Sequence, residues 1–267
     1  MIEARGGVER IYIFYHGSAM RKASIFEGSY GRKGDEVVEI PMTSFLLEGK
    51  DIRLLFDTGI NDDILLNEAG VAEKKGFYKI GKELSLEERL KVLNLKPEDI
   101  NAVVMSHLHY DHAGGLHLFS GTKIPIIAQK SELEEALTYI WEREEEERAL
   151  YREKDLPKGR NWHTLDKESM ELIEGVKLQW VGGHTRGSQI LVLRTVNNNN
   201  YILAGDLFHL IGEYRRRETG ELTYNRYKWE VSMNYVKLLS EMGKYRVLFS
   251  HDIELIRNYP LSPKYLT

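Results

Sequence analysis

Directly after the apolar residues 102–105 comes the run Ser-His-Leu-His-Tyr-Asp-His, which places His107, His109, Asp111 and His112 within six positions. Four side chains with metal-ligand chemistry this close together constrain the fold more than any other feature of the chain, because the loop that carries them must lie where further ligands can converge. With 9 histidines in 267 residues, composition alone would yield the pattern in about four of ten thousand such chains. Two imidazoles at i and i+2 can meet on one ion from an extended or looped backbone, whereas a helix would part them. Asp111 and His112 are adjacent, so their side chains diverge, which suits a second ion.

The chain contains no cysteine, which excludes disulfides, thiolate ligands and cysteine nucleophiles. Any metal must therefore be held by imidazole and carboxylate. Three further candidates follow apolar, strand-like runs: His184 in VGGHTRGS, Asp206 in ILAGDLF and His251 in LFSHD. A single histidine after a strand is more often structural. As partners of so improbable a cluster, the three gain weight together.

Strand-like runs at residues 10–15, 44–47, 52–56, 102–105, 124–128, 176–180, 189–196, 201–204 and 247–250 alternate with helical segments. Ser85 with Glu88, and Ser131 with Glu134, have the spacing of capping boxes, the second opening a helix expected to reach about Arg152. Residues 232–242 read as another helix, stopped by Gly243. Four asparagines at 197–200 suit a hairpin, since asparagine tolerates left-handed backbone. Hairpins interleaved with helices predict mixed rather than purely parallel sheets.

No interior Pro-, Gly- or Ser-rich linker divides residues 1–267, so a single domain is expected. The net charge of −4 leaves no basic footprint for nucleic acid. The Arg215-Arg216-Arg217 run reads as a solvated loop, and Glu144–Glu147 as a solvated helix face. Neither a signal peptide nor an apolar stretch of membrane length is evident, so no membrane association and a cytoplasmic setting are expected. A homodimer is left open. Tyr139, Trp141, Trp162, Tyr227 and Trp229 are candidates for an acyl pocket or a dimer contact.

With these residues in view, the chain resembles the metallo-β-lactamase superfamily, whose dinuclear members carry H-x-H-x-D-H followed by a His, a bridging Asp and a final His. That resemblance implies an αββα sandwich, two mixed β-sheets flanked by helices, with the site along one edge. It would give His107, His109 and His184 to one metal and Asp111, His112 and His251 to the other, with Asp206 between them. Within the superfamily the chain looks most like the N-acyl homoserine lactonases, through FDTG (56–59), SHLHYDHAGG (106–115), GGHTRGSQ (182–189), AGD (204–206) and FSHDIE (249–254). Those lactonases have a tyrosine three residues after the bridging Asp, placed to touch the substrate carbonyl; this chain has His209 there. An imidazole can also donate to an oxyanion, so His209 is a candidate catalytic residue, with Tyr214 a weaker alternative.

The expected cofactors are two divalent cations, zinc first, with iron, manganese or cobalt as alternatives. The expected reaction is attack of a metal-bound hydroxide on a lactone or ester carbonyl, with Asp111 relaying a proton to the leaving alkoxide. Asp57, at the end of a buried strand, could accept a ring N–H from a metal-bound histidine. Gly114 and Gly115 are expected to let the backbone turn sharply beside the metals. His16, His117 and His163 read as structural. Competing readings on the same site are a glyoxalase II-like thioesterase, a phosphodiesterase or a non-hydrolytic di-iron redox protein.

Overall fold

The computed structural model describes residues 6–27, 36–61, 78–79, 81–142 and 150–267. Its strands are β1 (Val8–Lys22), β2 (Val37–Gly49), β3 (Arg53–Phe56), β4 (Tyr78–Lys79), β5 (Ala102–Val104), β6 (Ile126–Gln129), β7 (Trp162–Leu165), β8 (Ser169–Ile173), β9 (Val176–Trp180), β10 (Gln189–Arg194), β11 (Asn200–Leu203) and β12 (Arg246–Leu248). They form two sheets, ordered β4-β1-β2-β3-β5-β6-β7 and β12-β11-β10-β9-β8. Both are mixed, as expected. β3, β5, β6 and β7 run parallel while β1, β2 and β3 are antiparallel; β11 and β12 are parallel beside antiparallel partners.

The side-chain period of two explains why two layers form. Along β1, Ile11 and Ile13 enter an inner core shared with Leu178, Leu191, Leu193 and Leu203 of the other sheet. The intervening Tyr12 and Phe14 face an outer cluster with Leu86, Leu90, Ala136 and Ile140. Likewise Ile190 and Val192 of β10 turn outward to Trp229, Met233 and Val236. Strands buried on both faces read as continuous apolar runs, and helices covering the outer faces complete the αββα sandwich.

Local chemistry sets the helix boundaries. Ser85 caps the Leu86–Lys91 helix by accepting from Glu88 N, but the expected capping box is only half formed, because Ser85 N donates to Lys82 O and the Glu88 carboxylate pairs with Lys91. Ser131 caps nothing, since its helix begins one residue earlier and spans Lys130–Glu142. The expected continuation crosses residues 143–149, which with the Glu144–Glu147 run lie outside the described residues, and residues 150–152 are not helical. The Arg226–Gly243 helix starts six residues before its expected position because the Asn225 side chain accepts from Lys228 N. Arg215 and Arg216 end the Ile211–Arg216 helix rather than forming a loop, a favourable place for cations. The hairpin asparagines supply Asn198 at φ 62°.

Strands β7 and β8 were not legible beforehand, because their burial is partial and their apolar alternation weak. β1 runs on past residue 15 through a bulge at Gly17, φ 101°, where the pairing shifts register. No helix among the described residues is long and apolar enough to cross a membrane.

Gly114 and Gly115 correct one expectation. Neither has a positive φ; what they provide is room. A Cβ on Gly114 would stand 2.1 Å from Asn61 N and 2.4 Å from the Ile60 carbonyl carbon, both backbone atoms that cannot rotate away. Gly114→Ala is therefore expected to destabilise the fold by about 3 kcal/mol or more. Chemical denaturation monitored by circular dichroism checks this; a loss within experimental error would show that residues 60–61 can shift freely.

Candidate metal centre

The loops after β5, β9, β11 and β12 bring the candidate ligands together at one edge of the sandwich. After β5 the chain bends at Ser106, is extended at His109 (φ −66°, ψ 153°) and then makes one helical turn, Tyr110–Ala113. The segment before it brings His107 and His109 to the same side, and the turn carries Asp111 and His112 past them. Gly205, at φ 50°, lets the chain reverse after β11, and a Cβ there would lie 2.7 Å from Ser106 Cβ. That close approach sets Asp206 against the histidine loop.

All seven expected ligands meet, in overlapping groups whose ligand atoms lie within 4.8 Å of one another: His107 with His109 and His184; His107 with His112 and Asp206; and Asp111 with His112 and His251. A fourth group joins His184, Asp206 and His209. Asp206 is central. Its Oδ1 is 3.1 Å from both His112 Nε2 and His251 Nε2, and its Oδ2 is 3.5 Å from His184 Nε2 and 3.7 Å from His107 Nε2. Asp111 is the most exposed of the set, with 19% of its side chain accessible and its Oδ2 3.7 Å from His251 Nε2.

Behind these groups lies an ordered set of acceptors. Asp57, held at φ 62°, accepts from Ser106 N and Oγ at 2.6 and 2.7 Å and from His112 Nδ1 at 2.9 Å. Because Ser106 Oγ donates to Asp57, it accepts from His107 Nδ1, 2.9 Å away. His184 Nδ1 donates to Leu222 O and His251 Nδ1 to Pro41 O, each at 2.7 Å. In all four rings Nε2 faces inward.

The donor set fits cations. His112 Nε2 and His251 Nε2 stand 3.1 Å apart, and His184 Nε2 is 3.0 Å from His109 Nδ1. Each pair can share one proton, and a cation bound to both nitrogens would take its place. Among the described residues the buried atoms His107 Nε2, Asp206 Oδ1 and His209 Nε2 have no hydrogen-bond partner, which is costly unless something else satisfies them. Burial, followed by neighbouring imidazoles, holds His107 and His109 well below the ordinary range, and burial pushes His184 down to about 3. Burial opposes charge on Asp206, yet His112 and His251 hold it well below the usual carboxylate range. Neutral His107, His109 and His184 beside an ionised carboxylate form the ligand state that a divalent cation requires, while the Asp206 and Asp57 carboxylates overcome burial and hold His112 well above the ordinary imidazole range, so that a cation there would take the place of a proton.

For His209, burial works against protonation, but the Glu213 and Asp206 carboxylates outweigh it and raise the imidazole. Tyr214 packs against Phe208 and Phe249 in the outer core, with ring centroids 5.3 and 5.6 Å away. His16 is buried between Ser44 Oγ and Leu84 O, His117 bonds Gly114 O, and His163 is exposed on β7. Of the aromatic candidates, Trp229 is a core residue whose indole donates to Leu207 O, Tyr139 packs on Tyr151, and Trp141 and Trp162 border a surface groove with Leu133 and Leu137. Tyr227 is exposed on the Arg226–Gly243 helix.

Glu132 was missed from sequence. Buried on the Lys130–Glu142 helix, it accepts from Leu108 N (2.9 Å), Thr185 Oγ1 (2.5 Å) and Gly187 N (3.1 Å), tying the first histidine loop to the His184 loop. A signal existed: Glu132, Ala136 and Ile140 share a four-residue spacing, so the acid sits on the apolar stripe, where a lone charge needs partners. The Ser131/Glu134 spacing drew attention to the wrong acid.

The model of a family described as the metallo-beta-lactamase superfamily matches residues 39–251. An N-acyl homoserine lactonase of Bacillus cereus is 29% identical over 237 residues, covering 86% of this chain and 88% of its own length. N-acyl homoserine lactonase AiiB of Agrobacterium fabrum is 28% identical over 228 residues, 82% of each chain. Among solved structures, an N-acyl homoserine lactone hydrolase with the product N-hexanoyl-L-homoserine bound at its catalytic metal centre superposes with TM-score 0.83 at 25% identity, covering 97% of this chain and 100% of that one.

Proposed function

The chain belongs to the metallo-β-lactamase superfamily, and from that premise we propose that it is a dinuclear metal-dependent hydrolase that opens the ring of N-acyl homoserine lactones or related lactones. Similarity to lactonases along most of the chain supports the substrate class. The observation that carries the reading is Asp206, whose carboxylate lies within 3.7 Å of Nε2 of His107, His112, His184 and His251. His107, His109 and His184 would hold one cation, Asp111, His112 and His251 the other, and Asp206 would serve both. Zinc suits this imidazole and carboxylate set best.

Bound cations would supply a hydroxide near neutral pH and Lewis acidity toward a carbonyl oxygen. The chain's residues would do the rest. Asp57 fixes the tautomer of His112 directly and, through Ser106, that of His107. Opening of the lactone would form a C–O bond from that hydroxide to the carbonyl carbon and break the ring C–O bond, and Asp111, at the accessible side, would pass the proton from the water to the departing alkoxide. The product is a hydroxy acid, with no serine or cysteine nucleophile involved.

A substrate panel tests this. Zinc-loaded protein is expected to hydrolyse N-acyl homoserine lactones with kcat/KM at least about a hundredfold above that for thioesters and bis-aryl phosphates, and exhaustive chelation is expected to abolish turnover until zinc is restored. Full activity in metal-free protein would exclude the mechanism. A preference for thioesters or phosphodiesters would reassign the substrate while leaving the metal centre intact.

A further inference from the structure

His209 obeys the rule of the proposed ligands. In His107, His112, His184 and His251, Nδ1 is spent on an acceptor outside the cluster and Nε2 points inward. His209 Nδ1 faces Glu213 Oε1 at 3.3 Å. Glu213 is itself fixed, because its Oε2 accepts the backbone N–H groups of His209 (2.6 Å) and Leu210 (2.8 Å). Fully buried, it has Oε1 left for the ring N–H.

The consequence is directional. A neutral His209 with its proton on Nδ1 presents a lone pair at Nε2, and a His209 protonated on both nitrogens points its Nε2–H at Asp206, so in either state Nε2 is turned to the cluster rather than offered to a substrate oxyanion as a tyrosine hydroxyl could be. Nε2 is buried without a hydrogen-bond partner among the described residues and lies 3.4 Å from Asp206 Oδ2. A lone pair set against a carboxylate oxygen at that distance is repulsive unless a cation or proton lies between them. The ring is wedged against Phe26 and His184, with centroids 5.0 and 4.9 Å away, and Nε2 falls in one ligand group with His184 and Asp206.

Building on the metal centre proposed above, we propose that His209 is an eighth ligand residue, joining His184 and Asp206 on one cation, and that Glu213 is the positioning residue that holds it in the ligating tautomer. This chain would then keep a nitrogen ligand at a place where its resemblance to the lactonases leads one to expect a carbonyl-contacting hydroxyl.

The test reads metal binding rather than turnover. The full chain is loaded with cobalt(II), and its visible spectrum and affinity in competition with a chelator are compared for wild type, His209→Phe and Glu213→Gln, with folding followed by circular dichroism. Phenylalanine fills the same space without a donor atom, and glutamine keeps the shape of Glu213 while weakening its hold on the ring. His209→Phe is expected to change the cobalt bands and weaken one of the two cations at least about tenfold, and Glu213→Gln to weaken the same cation by about threefold to tenfold. The Glu213 variant decides the matter alone if His209→Phe does not fold. Two wild-type cobalt ions with unchanged spectrum and affinity in the folded variants would overturn the assignment and leave the metal centre standing. A wild-type chain that holds no cobalt would overturn both.

Discussion

Asp206→Asn is expected to lower kcat/KM for lactones by about a thousandfold, or ~4 kcal/mol of transition-state stabilisation, and to reduce bound metal from two ions toward one. Asparagine keeps the size and approximate shape of the side chain but removes the charge and replaces one oxygen with a donor amide. Both oxygens of Asp206 face imidazole nitrogens, Oδ1 at 3.1 Å from His112 and His251, and Oδ2 at 3.2 Å from His251 and 3.4 to 3.7 Å from His209, His184 and His107. An amide NH2 turned toward either set would repel a cation there. The side chain is almost wholly buried, so water cannot easily replace the lost ligand. Metal analysis alongside steady-state kinetics checks the result. Two retained ions with unaltered kcat/KM would remove Asp206 from the centre.

The second large effect is on stability. Glu132→Leu is expected to cost about 3 to 5 kcal/mol, because it leaves Leu108 N, Gly187 N and the Thr185 hydroxyl facing an apolar side chain. Denaturant unfolding measures the loss, and a change below 1 kcal/mol, roughly the value of one ordinary hydrogen bond, would show that the two loops hold together without it. Glu132→Gln separates charge from connectivity. Burial raises the Glu132 carboxyl from 4.5 to about 7, against the pull of its hydrogen-bond donors. A carboxyl whose folded-state value is raised favours folding most below its unfolded value, and that advantage fades as pH rises through the folded value. The stability of wild type relative to Glu132→Gln should therefore decline between pH 4.5 and about 7 and level off above that. Using the difference between the two proteins cancels the titration of the histidine cluster. A difference independent of pH would show that Glu132 is ionised across the whole range.

Particular residues show where sequence reading succeeded. The seven ligand candidates could be named because ligand chemistry at i, i+2, i+4 and i+5 is rare, and because the later three each end an apolar run. Mixed sheets followed from hairpin signals beside helical segments. Ser85 was legible as a cap because its role lies within four residues of chain. β7 and β8 were not, since edge strands that bury only part of their surface lack a strong period-two pattern. Ser131 failed for the opposite reason: a valid local pattern yielded to tertiary packing that extended the helix by a residue.

By itself, the sequence determined the donor types, the absence of thiolate, the loops that carry the candidate ligands and the alternation that makes two stacked sheets, because all of these depend on residue identity and short-range spacing. Only the tertiary structure decided which ring nitrogen each histidine turns inward, that Glu132 clasps two ligand loops, and that Glu213 stands behind His209. Those facts depend on acceptors brought from elsewhere in the chain, such as Pro41 O for His251, 210 residues away. A hydrogen bond at a few ångströms is set by packing, and no spacing along the chain records it.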